Sequence, residues 1–101
     1  MPKVKVEYQS KHSAKDSFSK VRGFLENDPD LRKLDKGYVC TFNDSRLSGE
    51  AKGKQFSAVL TVADQSGGAK VVIEVDLPLL LTPIKGMVQS TLEGKLRSTL
   101  A

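Results

Sequence analysis

Tryptophan is absent from these 101 residues, histidine and cysteine occur once each, and no long hydrophobic run interrupts the chain. Each scarcity removes a class of function. A single cysteine, Cys40, leaves no partner for an intrachain disulfide and excludes a multi-cysteine zinc site. The single histidine, His12, lies in a polar linker ahead of the first expected helix, so a solvated linker residue is expected rather than a catalytic base or a metal ligand. Without a second histidine nothing is left to activate Cys40, which falls on an inward strand position and reads as a small packing hydrophobe. The longest apolar stretch, residues 77–81, contains Pro78 and is far short of the ~20 residues that span a bilayer. No membrane span is expected, and with no charged-then-apolar leader before the first strand a reducing cytosol is the expected compartment. The glycines form neither a dinucleotide fingerprint nor a P-loop, so no phosphate cradle and no cofactor are expected.

The net charge of +4 is spread evenly. Residues 1–50 carry ten basic and eight acidic side chains, residues 51–101 six and four, so each half contributes +2. Nucleic-acid binding calls for a clustered basic face, which this distribution does not supply; the charge reads as solubility, and nucleic acid as an unfavoured partner. Hydrophobic residues at 39% and charged residues at 28% are the balance of one folded domain over residues 1–101.

Period-two alternation predicts a first strand through Val4, Val6 and Tyr8. Ser13 with Asp16 makes a capping-box variant ahead of the stripe Ala14, Phe18, Val21 and Leu25, a helix that should end at about Glu26 before Asn27, Asp28 and Pro29. Leu31 and Leu34 are expected to pin a short turn to the core. Inward sets then recur as Tyr38, Cys40, Phe42, as Leu47, Gly49, Ala51, as Phe56, Ala58, Leu60, Val62, and as Val71, Ile73, Val75, Leu77: a four-strand antiparallel meander. Thr82 followed by Pro83 predicts the start of a second long helix, with Ile84, Val88, Leu92, Leu96 and Leu100 on its apolar face. The fold class is α+β in the order β-α-β-β-β-β-α. It implies a five-stranded antiparallel sheet ordered 2-3-4-5-1 with both helices on one face.

The core face holds no paired carboxylates and no titratable constellation, so a non-enzymatic role acting through surfaces is expected. Gly86, Ser90, Gly94 and Ser98 recur every fourth residue, a strip of small side chains for which close packing inside the chain is the first expectation and contact with another subunit or surface the second. Leu79, Leu80 and Leu81 either seal the end of the core, the first expectation, or stand out as a docking cluster beside Lys85. The inward small residues Gly49, Ala51 and Ala58 suit either close helix-on-sheet packing or room for a ligand. On the outer sheet face Val39, Val59 and Val72, with Thr41 and Thr61 among them and Glu50, Lys52, Glu74 and Asp76 around them, form a candidate homodimer patch.

The run Leu77-Pro78-Leu79-Leu80-Leu81-Thr82-Pro83-Ile84-Lys85-Gly86, between the alternating strand of residues 71–75 and an amphipathic last helix, resembles the polyhydroxyalkanoic acid system family of small bacterial proteins. The opening strand of residues 2–7, the early helix, the Phe42 strand and the glycine-bearing stretch 49–53 are similar in order. The resemblance implies an accessory role in storage-polyester metabolism, with a polyhydroxyalkanoate granule or a granule-associated protein as partner, and no enzymatic activity. The element order also looks like a reduced helix-grip, or START-like, fold, whose larger members bind apolar ligands between helix and sheet. That resemblance implies the alternative of a small carrier or sensor for a fatty acyl chain; a nucleic-acid-associated role, suggested by the pI near 9.3, is the second alternative.

Overall fold

A computed structural model describes residues 3–101; Pro2, part of the opening strand in the resemblance above, lies outside the described residues. Strand β1 spans Lys3–Ser10 and buries Val4 and Val6 while its alternate residues face solvent. Helix α1, Ala14–Asn27, starts as its sequence dictates: the Ser13 hydroxyl accepts from the Asp16 amide at 3.1 Å, and Ala14, Phe18, Val21 and Leu25 are buried along one stripe. Strands β2 (Val39–Asn43), β3 (Ser48–Lys52), β4 (Ser57–Gln65) and β5 (Gly68–Asp76) follow as an antiparallel meander. The sheet order is β1-β5-β4-β3-β2, the order expected from the sequence, because α1 carries the chain back across the sheet to start the meander at the far edge.

Helix α3, Lys85–Leu100, lies mainly against β1 and touches α1, while α1 covers β4 and β5. Val88, Leu92, Leu96 and Leu100 join the buried inward residues of the strands in one apolar core, against which the half-buried Tyr8 of β1 and Cys40 and Phe42 of β2 pack. With both long helices on one face, the other sheet face is wet and alternates polar and small residues.

Local structure differs from the sequence expectation at residues 29–34, at Leu47 and over residues 79–84. Residues 29–34 form a helix, α2 (Pro29–Leu34), rather than a bare turn. Asp28 makes it so: its amide donates to Phe24 O at 2.9 Å, closing α1, and its carboxylate accepts from the Leu31 amide at 3.0 Å, opening α2 with Pro29 in the first turn. Leu47 leaves the strand and sits in the β2–β3 turn at φ 51°, its carbonyl accepting from the Val62 amide at 3.1 Å. Only the two residues Ser66 and Gly67 join β4 to β5, and Gly67, at φ 83°, adopts the left-handed conformation that a side chain would strain.

The last helix starts later than Thr82-Pro83 suggests. Residues Leu79–Ile84 form a tighter 3₁₀ segment after Pro78, and Thr82 donates its hydroxyl to Leu79 O at 2.8 Å instead of capping α3. The 3₁₀ path turns the three leucines differently from a core seal. Leu79 and Leu80 are 74% and 89% exposed, and Leu81 alone packs partly against the core.

Candidate ligand cleft between two helices

The space that the sequence suggested under the helices is nearly filled. A gap of about 20 Å³ remains there, walled by Leu25, Phe56, Ala58, Ile73, Val75 and Leu77, which at most holds one water and offers it no polar partner. Gly49 is filled from its own sheet by the Phe42 ring. Room exists instead one layer outward, between α2 and α3, where a cleft of about 410 Å³ opens. Its walls are Leu31 and Leu34 on α2 and Met87, Val88, Thr91 and Leu92 on α3. Leu31, Leu34, Val88 and Leu92 also border the small gap, so the cleft floor is continuous with the core.

The cleft follows from the lengths of its two walls. Helix α2 has six residues and no buried side chain, so it ends before covering the α3 face opposite, leaving Leu31 and Leu34 half-buried and Met87 60% exposed. The volume and apolar lining lie in the range of small-molecule sites.

Lys95 Nζ donates to Asp28 Oδ1 at 2.6 Å and to Asp30 Oδ2 at 2.8 Å, and Lys33 also lines the cleft. The Asp28 side chain is only 5% exposed, so Lys95 neutralises a nearly buried carboxylate while tying α3 to the α1–α2 junction. The hydrogen bond to Asp28, then that to Asp30, holds Lys95 above its ordinary pKa; the hydrogen bond from Lys95, with its charge, holds Asp30 below the usual carboxylate range.

No family model and no curated protein matches this chain. Among solved structures, the crystal structure of TTHA0849 from Thermus thermophilus is similar at 13% identity, with a TM-score of 0.60 over 98% of this chain and 92% of that one. At that identity the likeness shows the fold alone.

The residues singled out from sequence fall in three places. Leu79 and Leu80 stand exposed beside Leu81, and Lys85 opens α3 on the solvent side. Gly86, Ser90 and Ser98 are exposed and Gly94 half-buried, and a Cβ built on Gly86 or Gly94 meets nothing within 4 Å, which corrects the expectation of close packing inside the chain. On the outer sheet face the register splits the valine set: Val59 pairs with Glu50 and Glu74, Val72 with Glu7 and Thr61, and Val39 with Lys52. Val59, Thr61 and Val72 are neighbours, whereas Val39 stands apart beyond Glu50 and Lys52.

Cys40 is half-buried, and burial raises its pKa, the opposite of what a nucleophilic thiolate needs. His12 sits near the Ser10–Ser17 hydroxyl pair, which closes at 2.7 Å, but its Nε2 has no hydrogen-bond partner among the described residues. Nor do any three His, Cys, Asp or Glu side chains among the described residues group closely enough to hold a metal ion. No helix there is long and apolar enough to cross a membrane.

The cleft residues Met87 and Lys95 carried no such signal in sequence. A legible sign of α2 was present in Asp28-Pro29-Asp30 followed by Leu31 and Leu34, an N-cap, a first-turn proline and an i, i+3 apolar pair.

Proposed function

We propose that this chain is a non-enzymatic binding protein that takes an apolar, acyl-type chain into the cleft between α2 and α3. The observation that carries the reading is the cleft itself, about 410 Å³ and walled mainly by leucine, valine and methionine, with Asp28, Asp30 and Lys95 meeting on its lining. The helix-on-sheet arrangement suits such a role, because the sheet backs α3 as one wall while the six-residue α2 is held by its caps, by Lys95 and by Arg32, which donates to Tyr38 O and Glu26 O. Titration of methyl-labelled protein with decanol tests it. Saturable shifts centred on Leu31, Leu34, Val88 and Leu92, lost in a folded Leu34→Glu variant, are expected; shifts scattered over the surface or none at all would reject it.

A second reading is supported by the exposure of Leu79 and Leu80: an accessory role in polyhydroxyalkanoate metabolism through contact with the granule or a granule-associated protein. Two adjacent leucines this exposed are unusual for a surface segment and give an apolar contact beside Lys85. Co-sedimentation with isolated granules that is lost in Leu80→Lys and kept in Leu34→Glu would support this reading over the first.

A further inference from the structure

The two edges of the sheet are built differently. Edge strand β1 exposes Lys3, Lys5 and Glu7 and has α3 packed against it, whereas Val39–Asn43 of β2 contains neither a charge nor a proline, the residues that blunt an edge. Which backbone groups β2 leaves open follows from its neighbour. The Leu47 carbonyl accepts from the Val62 amide and the Gly53 amide donates to Phe56 O, so the odd-numbered residues from 47 to 53 bond toward β4. Ser48, Glu50 and Lys52 then bond toward β2, where their partners are Asn43, Thr41 and Val39. Cys40 and Phe42 are left aiming amide and carbonyl outward, and these four groups find no hydrogen bond among the described residues. At Tyr38 the chain closes its own edge, because the Tyr38 amide donates to Asp35 O at 3.4 Å and its carbonyl accepts from Arg32 Nη1 at 2.6 Å.

We infer that β2 pairs with β2 of a second copy of this chain across a two-fold axis at Thr41, joining two five-stranded sheets into one. Antiparallel pairing about Thr41 sets Cys40 opposite the second copy's Phe42, and Phe42 opposite its Cys40. All four open groups on each strand are thereby bonded at once. An axis at Cys40 instead brings Phe42 opposite the second copy's Tyr38, whose amide and carbonyl are already committed, and an axis at Phe42 brings Cys40 opposite Asp44 in the turn. The side chains agree with the Thr41 register. On the inner face the half-buried Cys40 and Phe42 cover one another across the seam, and on the wet face Thr41 meets its own copy, a favourable cross-strand pair free of like charge. The contact is short, which places its dissociation constant on the order of 10–100 μM.

Sedimentation equilibrium from about 5 to about 500 μM tests the inference, and the native chain is expected to pass from monomer to dimer within that range. Thr41 is exposed beside Glu50, so Thr41→Lys keeps the fold, checked by circular dichroism, while setting two ammonium groups face to face at the axis. It is expected to weaken the dimer at least about tenfold, as is Thr41→Glu. An equimolar mixture of the two variants is expected to regain the dimer, because a two-fold at Thr41 sets position 41 opposite itself. Oxidised Cys40→Ala/Thr41→Cys is expected to run as a covalent dimer on a denaturing gel, and this arm decides if Thr41→Glu fails to fold beside Glu50. A native chain that stays monomeric to the top of the range overturns the inference. So does a dimer that withstands Thr41→Lys, or one that is broken by Val59→Lys, which lies two strands inward on the outer face.

Discussion

Lys95 Nζ donates to Asp28 Oδ1 at 2.6 Å across 67 residues of sequence, joining the last helix to the residue that ends α1 and begins α2. Asp28 is therefore committed four times: its amide donates to Phe24 O, its carbonyl accepts from the Arg32 amide, one carboxylate oxygen accepts from the Leu31 amide and the other from Lys95. The two side-chain duties can be separated. Lys95→Met leaves a nearly buried carboxylate without its counter-ion and should cost about 2 kcal/mol in denaturant unfolding. Asp28→Asn keeps an acceptor for the Leu31 amide and loses the charge, so in the double variant the cost should fall well short of the sum, a coupling read from the four-variant cycle.

The ion pairs also give the cleft a pH dependence. Asp30 has its pKa lowered by Lys95, so its contribution to stability is present above its unfolded value of 3.8 and disappears as pH falls through the lower folded value. Lys95 has its pKa raised, so its contribution is present below 10.5 and disappears as pH rises through the higher folded value. Asp30→Asn should thus lower the unfolding midpoint more at pH 7 than at pH 2. Thermal scans of both proteins at the two pH values provide the check. An equal loss at pH 2 would mean the asparagine disturbs packing rather than charge.

Cys40 is expected to behave as packing. Its Sγ lies 3.8 Å from Leu25 O at the edge of the core, and burial raises its pKa. Cys40→Ala should cost about 1 kcal/mol and leave decanol binding intact. Alkylation of the native thiol at pH 7 should run slower than in the unfolded chain, read by mass spectrometry over time.

Sheet order, helix placement and the core were legible because they rest on periodicity, which each segment carries by itself. The inward sets on β4 and β5 and the Ala14-Phe18-Val21-Leu25 stripe needed no partner to be recognised. The cleft was not, because it depends on how far α2 reaches along α3, a relation between residues 31–34 and 87–95 that no local pattern encodes. The leucines at 79–81 show the same limit. Their composition suits a core seal, and only the 3₁₀ path set by Pro78 and Pro83 turns the first two outward. Leu47 illustrates a third case: its alternation with Gly49 and Ala51 reads as strand, yet the turn from Asn43 to Ser48 takes it into the left-handed region.

The cross-strand register makes Val59 an unusual place for a valine. It is 47% exposed, with Glu74 opposite on β5 and Glu50 opposite on β3, so two carboxylates flank one aliphatic side chain on the wet face of the sheet. Val59→Lys would put a cation between them, and Lys5 on β1 already pairs across the same row with Glu74. Opposite charges on neighbouring strands contribute about 0.2–1 kcal/mol each relative to alanine pairs, whereas losing a half-exposed valine costs a comparable but smaller amount. The variant should therefore unfold at a slightly higher temperature than the native protein in dilute buffer. In about 1 M salt, where the screening length falls to about 3 Å, the gain should vanish and leave only the loss of the valine. Sedimentation of the same variant tests the outer face as a contact between two copies. If Val59, Thr61 and Val72 meet a second chain, Val59→Lys dissociates it at micromolar concentration while Gly94→Glu on α3 does not; a native protein that sediments as a monomer throughout that range excludes the contact.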